Sequence, residues 1–346
     1  SDTLGPRRTI GWPMVLAGIG SLIFAFAPNL FLAGVGRFLV GAGVGTCFVG
    51  LMKSNSQWFS PAQFATVAGF MIFITNLASL LAATPMASLL QVVSWRWVFG
   101  GIGVLSLILA AVILRYAHDV PRVVSAVKPP HWWPTLKLVC RIPAIWPPTL
   151  VLFGVTGCMF AFIGLWASKL IKDSFVLGDL AASWYFAAAL LGLACGSFAL
   201  GTLSDKLRRR KAVALFGVSV MLCLWLGFIF LDWHQGVLGY VMYFSVGFFG
   251  AGGVNLYAVT KEVSPPYAAG IAMAVGNAGV FVAAAVAQPL MGWVLDQYWT
   301  GDMANGARVY SETAYRMALW IPAGGSMLAL AGVLMMRETR CTNNYD

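Results

Sequence analysis

Long apolar runs, separated by short polar segments, dominate the chain. A helix needs about 20 residues to cross the roughly 30 Å hydrocarbon core of a bilayer. An outer-membrane barrel would instead alternate apolar and polar positions, and these runs are unbroken. The pattern therefore predicts an all-α polytopic membrane protein. Ten runs are long enough to span, at approximately 10–28, 30–52, 66–90, 96–115, 145–168, 178–203, 211–231, 237–260, 267–295 and 316–336.

The composition excludes the soluble classes of protein. Hydrophobic residues make up 60% of the 346 positions and charged residues only 10%, against about 25% charged in a typical soluble domain. One soluble core could not hide such an apolar surplus. The six cysteines have no metal-ligand spacing, and no Gly-Lys-Ser/Thr follows the glycine clusters. No cofactor or metal, no ATP use and no enzymatic activity are expected.

The basic residues predict the orientation in the membrane. Lys and Arg collect in cytoplasmic loops. If the first residues are cytoplasmic and successive loops alternate sides, only five basic residues fall on the outer side of the membrane: Arg96, Lys169, Lys172, Arg308 and Arg316. Arg37 lies within a span, and the remaining basic residues fall on the predicted cytoplasmic side, with both ends of the chain. The net charge of +10 is thus explained by topology, and a nucleic-acid partner need not be invoked.

The longest polar interruption, at about 116–144, divides the runs into two groups. It contains the segment Pro129-Pro130-His131-Trp132-Trp133-Pro134, which is typical of a linker with tryptophans at the membrane interface. The predicted organisation is an N-terminal bundle at 1–118, a cytoplasmic linker at 119–144 and a C-terminal bundle at 145–346.

The two groups resemble each other. The segment 1–8, Ser-Asp-Thr-Leu-Gly-Pro-Arg-Arg, is similar to 204–211, Ser-Asp-Lys-Leu-Arg-Arg-Arg-Lys, and Trp95-Arg96 is similar to Tyr315-Arg316. Two spans precede the loop at 204, whereas none precedes the loop at 1. Internal symmetry therefore predicts a parent with six plus six spans, of which the first two are missing here. A truncated chain is the favoured explanation, and a naturally short chain is the alternative.

At these residues the chain resembles the major facilitator superfamily of secondary transporters. The signature loop of that family runs Gly-x-x-x-Asp-x-x-Gly-x-Arg-Lys/Arg. The segment 201–211 matches it except for Arg208, which replaces the second Gly, and 1–8 matches its end. Arg37, followed by Gly41, Gly43 and Gly45, resembles the motif in the fourth helix of the family. The resemblance implies the two-bundle fold of that family, a small-molecule solute as partner, proton coupling in some members, and a monomer in the inner membrane of a bacterium.

Several polar residues inside spans are candidates for substrate binding. Arg37 is the sharpest, because an unpaired charge within a span costs at least about 2.5–3.5 kcal/mol. Arg37 must therefore face protein or a water-filled cavity. It either binds an anionic ligand in the cavity or forms a structural bond to a helix that is missing here. The family lines its cavity with helices 1, 4, 7 and 10. The further candidates, for each of which an ordinary interhelical hydrogen bond is the alternative, are Trp166, Tyr240, Tyr243, Asn255, Asn277 and Gln288.

The two signature loops are candidates for a gate. The resemblance implies that Asp2 docks at the start of the helix after Pro265-Pro266, where free N–H groups carry partial positive charge, while Arg7 or Arg8 pairs nearby. Asp205 with Arg209 or Arg210 would form the weaker second copy. Retention of loops on the cytoplasmic side is the alternative role for these charges.

The sequence leaves the transported solute and the mode of transport open. All twelve acidic residues lie in loops or at span ends, so a proton-carrying carboxylate is expected on a missing helix, unless the protein is a uniporter or an exchanger. The Gly-Pro-x-x-Gly-Gly typical of drug antiporters is replaced by Ala83-Thr84-Pro85-Met86-Ala87-Ser88. Uptake or exchange of an organic anion or zwitterion is therefore favoured over efflux of drugs or metabolites. An assembly factor or sensor that does not transport is a further alternative.

Overall fold

The computed structural model describes residues 6–58, 74–75, 78, 86, 88–117, 132–175, 177–304 and 306–342. The chain divides into two compact units, unit 1 at Ser1–Pro129 and unit 2 at Pro130–Asp346. The described residues contain one β-hairpin with two residues in each strand, and the rest of their regular structure is helical. This confirms the all-α prediction.

The described part of unit 1 contains three long helices. They are α1 Pro6–Ala25, α2 Leu30–Trp58 and α3 Trp95–Tyr116. Residues 88–92 are also helical, but most of the span predicted at 66–90 lies outside the described residues.

Small residues bring α1 against both of its neighbours. A Cβ placed at Gly43 of α2 would overlap the carbonyl oxygen of Pro13, and one at Gly18 of α1 would lie 3.1 Å from the carbonyl oxygen of Gly103 in α3. Ser21 of α1 also donates a hydrogen bond of 2.9 Å to the carbonyl of Phe99. Close backbone approach through small residues is typical of membrane helices, where dispersion and short polar contacts replace the hydrophobic effect.

Unit 2 contains a short helix followed by six long ones. The short helix is α4 Trp132–Arg141. The long ones are α5 Pro143–Phe175, α6 Asp179–Leu207, α7 Arg210–Phe230, α8 Val237–Glu262, α9 Pro266–Gln297 and α10 Glu312–Met335. Strands β1 Met303–Ala304 and β2 Ala307–Arg308 form an antiparallel hairpin between α9 and α10.

Seven of these helices, α3 and α5 to α10, are long and apolar enough to cross a membrane. Together with the shorter apolar stretches Ile10–Ala25 and Leu30–Gly45, they correspond to nine of the ten predicted spans. The protein is therefore a multi-pass membrane protein.

The core of unit 2 is aromatic. The ring of Phe162 from α5 lies 5.2 Å from that of Trp225 in α7 and 5.9 Å from that of Tyr243 in α8. Phe228 of α7 joins them, 5.9 Å from Tyr243. Such edge-to-face and tilted pairs contribute about 0.5–1.5 kcal/mol beyond the area they bury, and they fasten α5, the most buried span, to its neighbours.

Two helices depart from the regular geometry that an apolar run predicts. α5 contains π-helical turns at Leu152–Gly157 and Phe162–Trp166; π-turns of this kind are frequent at functional sites. α8 consists of the segments Val237–Gly250 and Gly253–Glu262, so its angular relationships do not carry across the break.

The helix α4 was not expected inside the predicted linker. Pro134 favoured a loop, but it stands in the first turn of the helix, where a missing N–H costs nothing. Thr135 and Val139 are buried, and α4 packs against α9, so tertiary contacts stabilise a helix only ten residues long.

Candidate functional site

The guanidinium of Arg37 in α2 lies beside two aromatic rings, whose centres are 4.9 Å apart. The guanidinium carbon is 4.2 Å from the centre of the Phe24 ring of α1 and 4.7 Å from that of Phe99 in α3. Cation–π contacts contribute about 0.5–2 kcal/mol each, so they offset much of the insertion cost. Among the described residues, no carboxylate pairs with Arg37.

The face of α2 that carries Arg37 is open toward the other described residues of unit 1. Arg37 is exposed, and a Cβ placed at Gly34, Gly41 or Gly45 would meet no atom of a described residue within 4 Å. Gly34 and Gly41 lie about one helical turn before and after the arginine. A ligand that reaches this face can therefore approach the guanidinium.

Two of the polar candidates in unit 2 have their polar atoms occupied by backbone carbonyls. Tyr243 is fully buried and its hydroxyl donates to the carbonyl of Ala167 at 2.7 Å. Asn255 is 2% exposed and its Nδ2 donates to the carbonyl of Leu200 at 3.1 Å. For both residues this geometry favours the structural interpretation in the present conformation. Tyr240 and Asn255 lie on the two different segments of α8.

Tyr240, Asn277 and Gln288 remain accessible at the surface of unit 2. Tyr240 is 37% exposed and stacks on Tyr185, with ring centres 4.1 Å apart. Asn277 is exposed, and its Oδ1 accepts a hydrogen bond of 2.8 Å from Tyr257. Gln288 is half-buried. Asn277 and Gln288 lie on the continuous helix Ala269–Gln297, and their spacing of eleven residues, about three turns, puts them on one face.

Trp166 is held by α9. Its indole Nε1 donates to the carbonyl of Gln288 at 3.0 Å, and 91% of the side chain is buried. Its role in the present conformation is therefore to join α5 to α9.

The loop between α6 and α7 builds an ion cluster, which we call the Arg210 cluster: Ser204, Asp205, Arg210, Glu262 and Glu338. The side chain of Arg210 is 9% exposed; it pairs with Asp205 at 2.6 Å and with Glu262 at 3.1 Å. Its Nη1 also donates to Ser204 at 3.1 Å. A charge this deeply buried requires such partners.

Glu338, beyond the end of α10, completes the cluster. Its two carboxylate oxygens accept the backbone N–H groups of Arg210 and Lys211, at 2.7 and 3.1 Å. These are free donors in the first turn of α7, where the helix dipole favours a negative charge. Thr339 donates to the second oxygen of Glu262 at 2.5 Å. The segment after α10 is thereby tied to the ends of α7 and α8.

The backbone conformation at Arg208 shows why the signature loop of the family has glycine at this position. It ends α6 with φ of 50°, in the left-handed region, which glycine adopts without the cost of about 1–2 kcal/mol that other residues incur. The departure of this chain from the motif therefore keeps the conformation that the motif specifies.

The predicted gate residues have different surroundings. Asp2 lies outside the described residues. Arg7 donates through Nη2 to the carbonyl of Leu114 at the end of α3, and Arg8 is exposed. Arg209 precedes α7 without a side-chain capping bond, so Arg210 is the partner of Asp205.

The two units use a similar device, although Lys211 aligns with Arg8 and not with Arg7 when 1–8 is aligned with 204–211. Lys211 at the start of α7 donates to the carbonyls of Leu334 and Met336 at the end of α10, both at 2.8 Å. Leu334 corresponds to Leu114 when the two halves are aligned at Trp95-Arg96 and Tyr315-Arg316. In each unit a basic side chain therefore satisfies free carbonyls at the end of the last helix.

A second polar cluster lies at the other end of unit 2, because consecutive spans alternate in direction. The carboxylate of Asp173, near the end of α5, accepts hydrogen bonds from Lys169 at 2.8 Å and from the hydroxyl of Tyr315 at 2.7 Å. The backbone N–H of Tyr310 adds a third bond at 3.2 Å. This cluster fastens the hairpin segment and α10 to α5.

Ion pairs extend the cluster along the hairpin. Arg308 pairs with Asp296 at 2.7 Å, and the carboxylate raises the pKa of the Arg308 guanidinium. Burial, and then the hydrogen bond to Asp296 at 2.7 Å, raise the pKa of Tyr310.

Sequence reasoning missed Phe24, Phe99, Glu262, Glu338 and Asp173. The aromatic pair carries no sequence signal, because Phe is common throughout the apolar runs. Glu262 and Asp173 had a signal: each is an acid at the end of an apolar run, next to or four residues from a lysine.

Comparison with known proteins agrees with this architecture. The family model described as Major Facilitator Superfamily matches residues 1–257 and, in a second overlapping match, 167–343. The fold is therefore that of an all-α, multi-pass membrane protein of the transporter class. The chain belongs to the Major Facilitator Superfamily.

Individual relatives are distant or cover part of the chain. The chain is 32% identical to the lincomycin resistance protein of Streptomyces lincolnensis over an aligned segment of 120 residues. That segment covers 34% of this chain and 25% of that protein. A bacterial homologue of the human lysosomal transporter Spinster, solved in an inward-facing and unoccupied conformation, has a TM-score of 0.75 at 14% identity and covers 96% of this chain and 83% of that one. The transporter FucP in the outward conformation has a TM-score of 0.63 at 14% identity, with 98% and 85% coverage. At these identities the structural likeness concerns the fold.

Proposed function

We propose that the protein is a secondary transporter that moves a small organic anion or zwitterion across the membrane by alternating access. The observation that carries the proposal is Arg37, whose guanidinium lies beside the rings of Phe24 and Phe99 and is exposed along a glycine-lined face. The two rings contribute no hydrogen-bond acceptor of their own strength, so the guanidinium N–H groups can donate to an anionic ligand. Those groups suit a carboxylate or a phosphate, which a planar guanidinium can bind bidentately.

Within unit 2, three accessible polar side chains remain candidates for contacts with a solute. Tyr240, Asn277 and Gln288 offer a hydroxyl and two amides, which fit the polar part of an amino acid or a hydroxy acid. The proposed setting is the inner membrane of a bacterium, with a monomeric protein and a cytoplasmic C-terminus. The family membership and the distribution of Lys and Arg support it.

A binding screen with matched variants tests the proposal. The purified protein in detergent is heated with lactate, succinate, glutamate, glycine betaine, glycerol 3-phosphate and glucose, and the melting temperature is recorded. We expect an anion or zwitterion to stabilise the wild type. Arg37→Gln should lower the affinity for that compound at least about tenfold, because it removes one or more charge-assisted hydrogen bonds. Arg37→Lys keeps the charge and should lower the affinity less.

Arg96 supplies the control. It also lies over an aromatic ring in unit 1, 4.4 Å from the centre of Trp95, but in the first turn of α3. Arg96→Gln should retain binding. Stabilisation by glucose alone, or an anion response that survives Arg37→Gln, would contradict the proposal. Uptake of the stabilising compound into proteoliposomes, with and without an imposed pH gradient, then distinguishes proton coupling from exchange.

Efflux of a drug or metabolite is the second candidate function. The relative from Streptomyces lincolnensis is named for resistance to lincomycin, which favours it. Export of lincomycin from loaded vesicles, together with no response to any anion in the binding screen, would select efflux.

A further inference from the structure

We infer that α4 is a binding site for anionic phospholipid headgroups at the membrane surface. The site consists of Trp133, Lys137 and Arg141, which follow one another at intervals of one helical turn. The inference concerns a surface of unit 2 and does not depend on the transported solute.

The position of α4 places it at the membrane interface. Only Ile142 separates the end of α4 from α5, the first span of unit 2. Ile142 has an extended conformation with ψ of 110°, so α4 does not continue the axis of the span. A ten-residue helix that adjoins a span and turns away from it must lie in or near the headgroup layer.

One face of α4 is already covered by the protein. Val139 is fully buried and Thr135 is 4% exposed, and α4 packs against α9. The opposite face is open: Trp133 is 48% exposed, and Lys137 and Arg141 are exposed. These three residues, spaced by four, form a straight stripe on a helix.

The open stripe carries positive charge that unit 2 does not neutralise. Among the described residues neither Lys137 nor Arg141 forms an ion pair. The segment from Trp132 to Trp146 contains no acidic residue. Lys137 Nζ instead lies 5.3 Å from the centre of the Trp133 ring. A negatively charged partner is the complement that this surface lacks.

The aromatic residues select a lipid as that partner. Tryptophan is enriched at the level of the headgroups, where its ring meets the acyl boundary and its N–H meets water. Trp146, at the start of α5, is 50% exposed, and its Nε1 donates to the carbonyl of Cys140 at 3.0 Å. This bond places a second indole beside the basic stripe. Rings at the acyl boundary and cations toward the phosphates match a phospholipid better than a soluble anion.

The test compares lipids on the full-length protein in neutral detergent. Phosphatidylglycerol or phosphatidylcholine is titrated, and the melting temperature is followed. We expect the wild type to prefer phosphatidylglycerol. Since each cation near an anionic surface contributes roughly fivefold in affinity, Lys137→Gln/Arg141→Gln should lower the apparent affinity for phosphatidylglycerol roughly 25-fold.

Two further variants separate this site from general surface charge. Lys206→Gln/Arg337→Gln removes the same charge from exposed positions elsewhere in unit 2 and should keep the preference. Lys137→Arg/Arg141→Lys preserves both charges and should also keep it. An unchanged preference in the Lys137→Gln/Arg141→Gln protein, or an equal loss in the Lys206→Gln/Arg337→Gln protein, would overturn the inference. Equal stabilisation by inorganic phosphate would show that the partner is a free anion and would also overturn it.

Discussion

Removal of the guanidinium at Arg210 should destabilise unit 2 far more than removal of its neighbour Arg209. Arg210→Gln leaves the carboxylate of Glu262, which is 12% exposed, without its charged partner. Breaking a buried ion pair from one side typically costs about 3–5 kcal/mol. At about 2–4 °C per kcal/mol for a unit of this size, the melting temperature should fall by roughly 10 °C.

The loss of stability on removing a charge from the Arg210 cluster should follow the burial of that charge. Asp205 is 68% exposed, so Asp205→Asn should cost at most about 1 kcal/mol. Arg209→Gln is the matched control, since Arg209 is exposed and makes no ion pair among the described residues. It should change the melting temperature little.

A double variant gives the sharpest form of this prediction. Arg210→Gln/Glu262→Gln removes both buried charges, so it should be more stable than Arg210→Gln alone. The measurement is thermal unfolding in detergent followed by tryptophan fluorescence. A double variant less stable than Arg210→Gln, or equal losses for Arg209→Gln and Arg210→Gln, would refute the reasoning that burial decides the energy of this cluster.

Two further predictions concern the packing and the pH response of unit 2. Gly247→Ala would place a methyl group onto the carbonyl oxygen of Ala189 and should lower the melting temperature. Gly217→Ala, where a Cβ meets nothing within 4 Å, should raise it slightly through helix propensity; equal effects would show that α6 and α8 do not pack as closely as described. Arg316, which donates to Asp232 at 2.6 Å, lowers the pKa of that carboxyl, so the pair stabilises the fold at neutral pH and stops doing so as the pH falls through the lowered pKa. Thermal unfolding from pH 7 to pH 3 should therefore show a smaller acid-dependent loss in Arg316→Gln than in the wild type, and identical pH profiles would count against the pair.

The break in α8 shows one limit of reasoning from the apolar pattern. Hydropathy is the same on a straight and on a broken helix, so the run at 237–260 predicted a single span. The interruption falls at Ala251-Gly252, shortly after the point where Gly247 of α8 meets the backbone of Ala189 in α6. The apolar run itself carries no sign of this step.

Arg37 shows which part of a site a sequence can reveal. A charge within an apolar run is conspicuous, because its transfer into a membrane is costly, and the glycines after Arg37 matched the motif of the family. The rings of Phe24 and Phe99 could not be singled out, because the same residue type fills lipid-facing and core positions throughout the chain.

The sequence alone predicted the approximate limits of the nine spans that the structure describes, from the length of the apolar runs. It also predicted the family, from the signature loop, its second copy and the distribution of charge. These properties depend on how each segment interacts with lipid or water, and a segment carries that information itself. Other features could be seen only in the folded structure. They are the contacts of Arg210 with Glu262 and Glu338, the hydrogen bond from Tyr315 to Asp173, and the helix at Trp132–Arg141. Each joins residues distant in the chain or rests on contacts with another helix, and a contact energy becomes available only when packing brings both partners together.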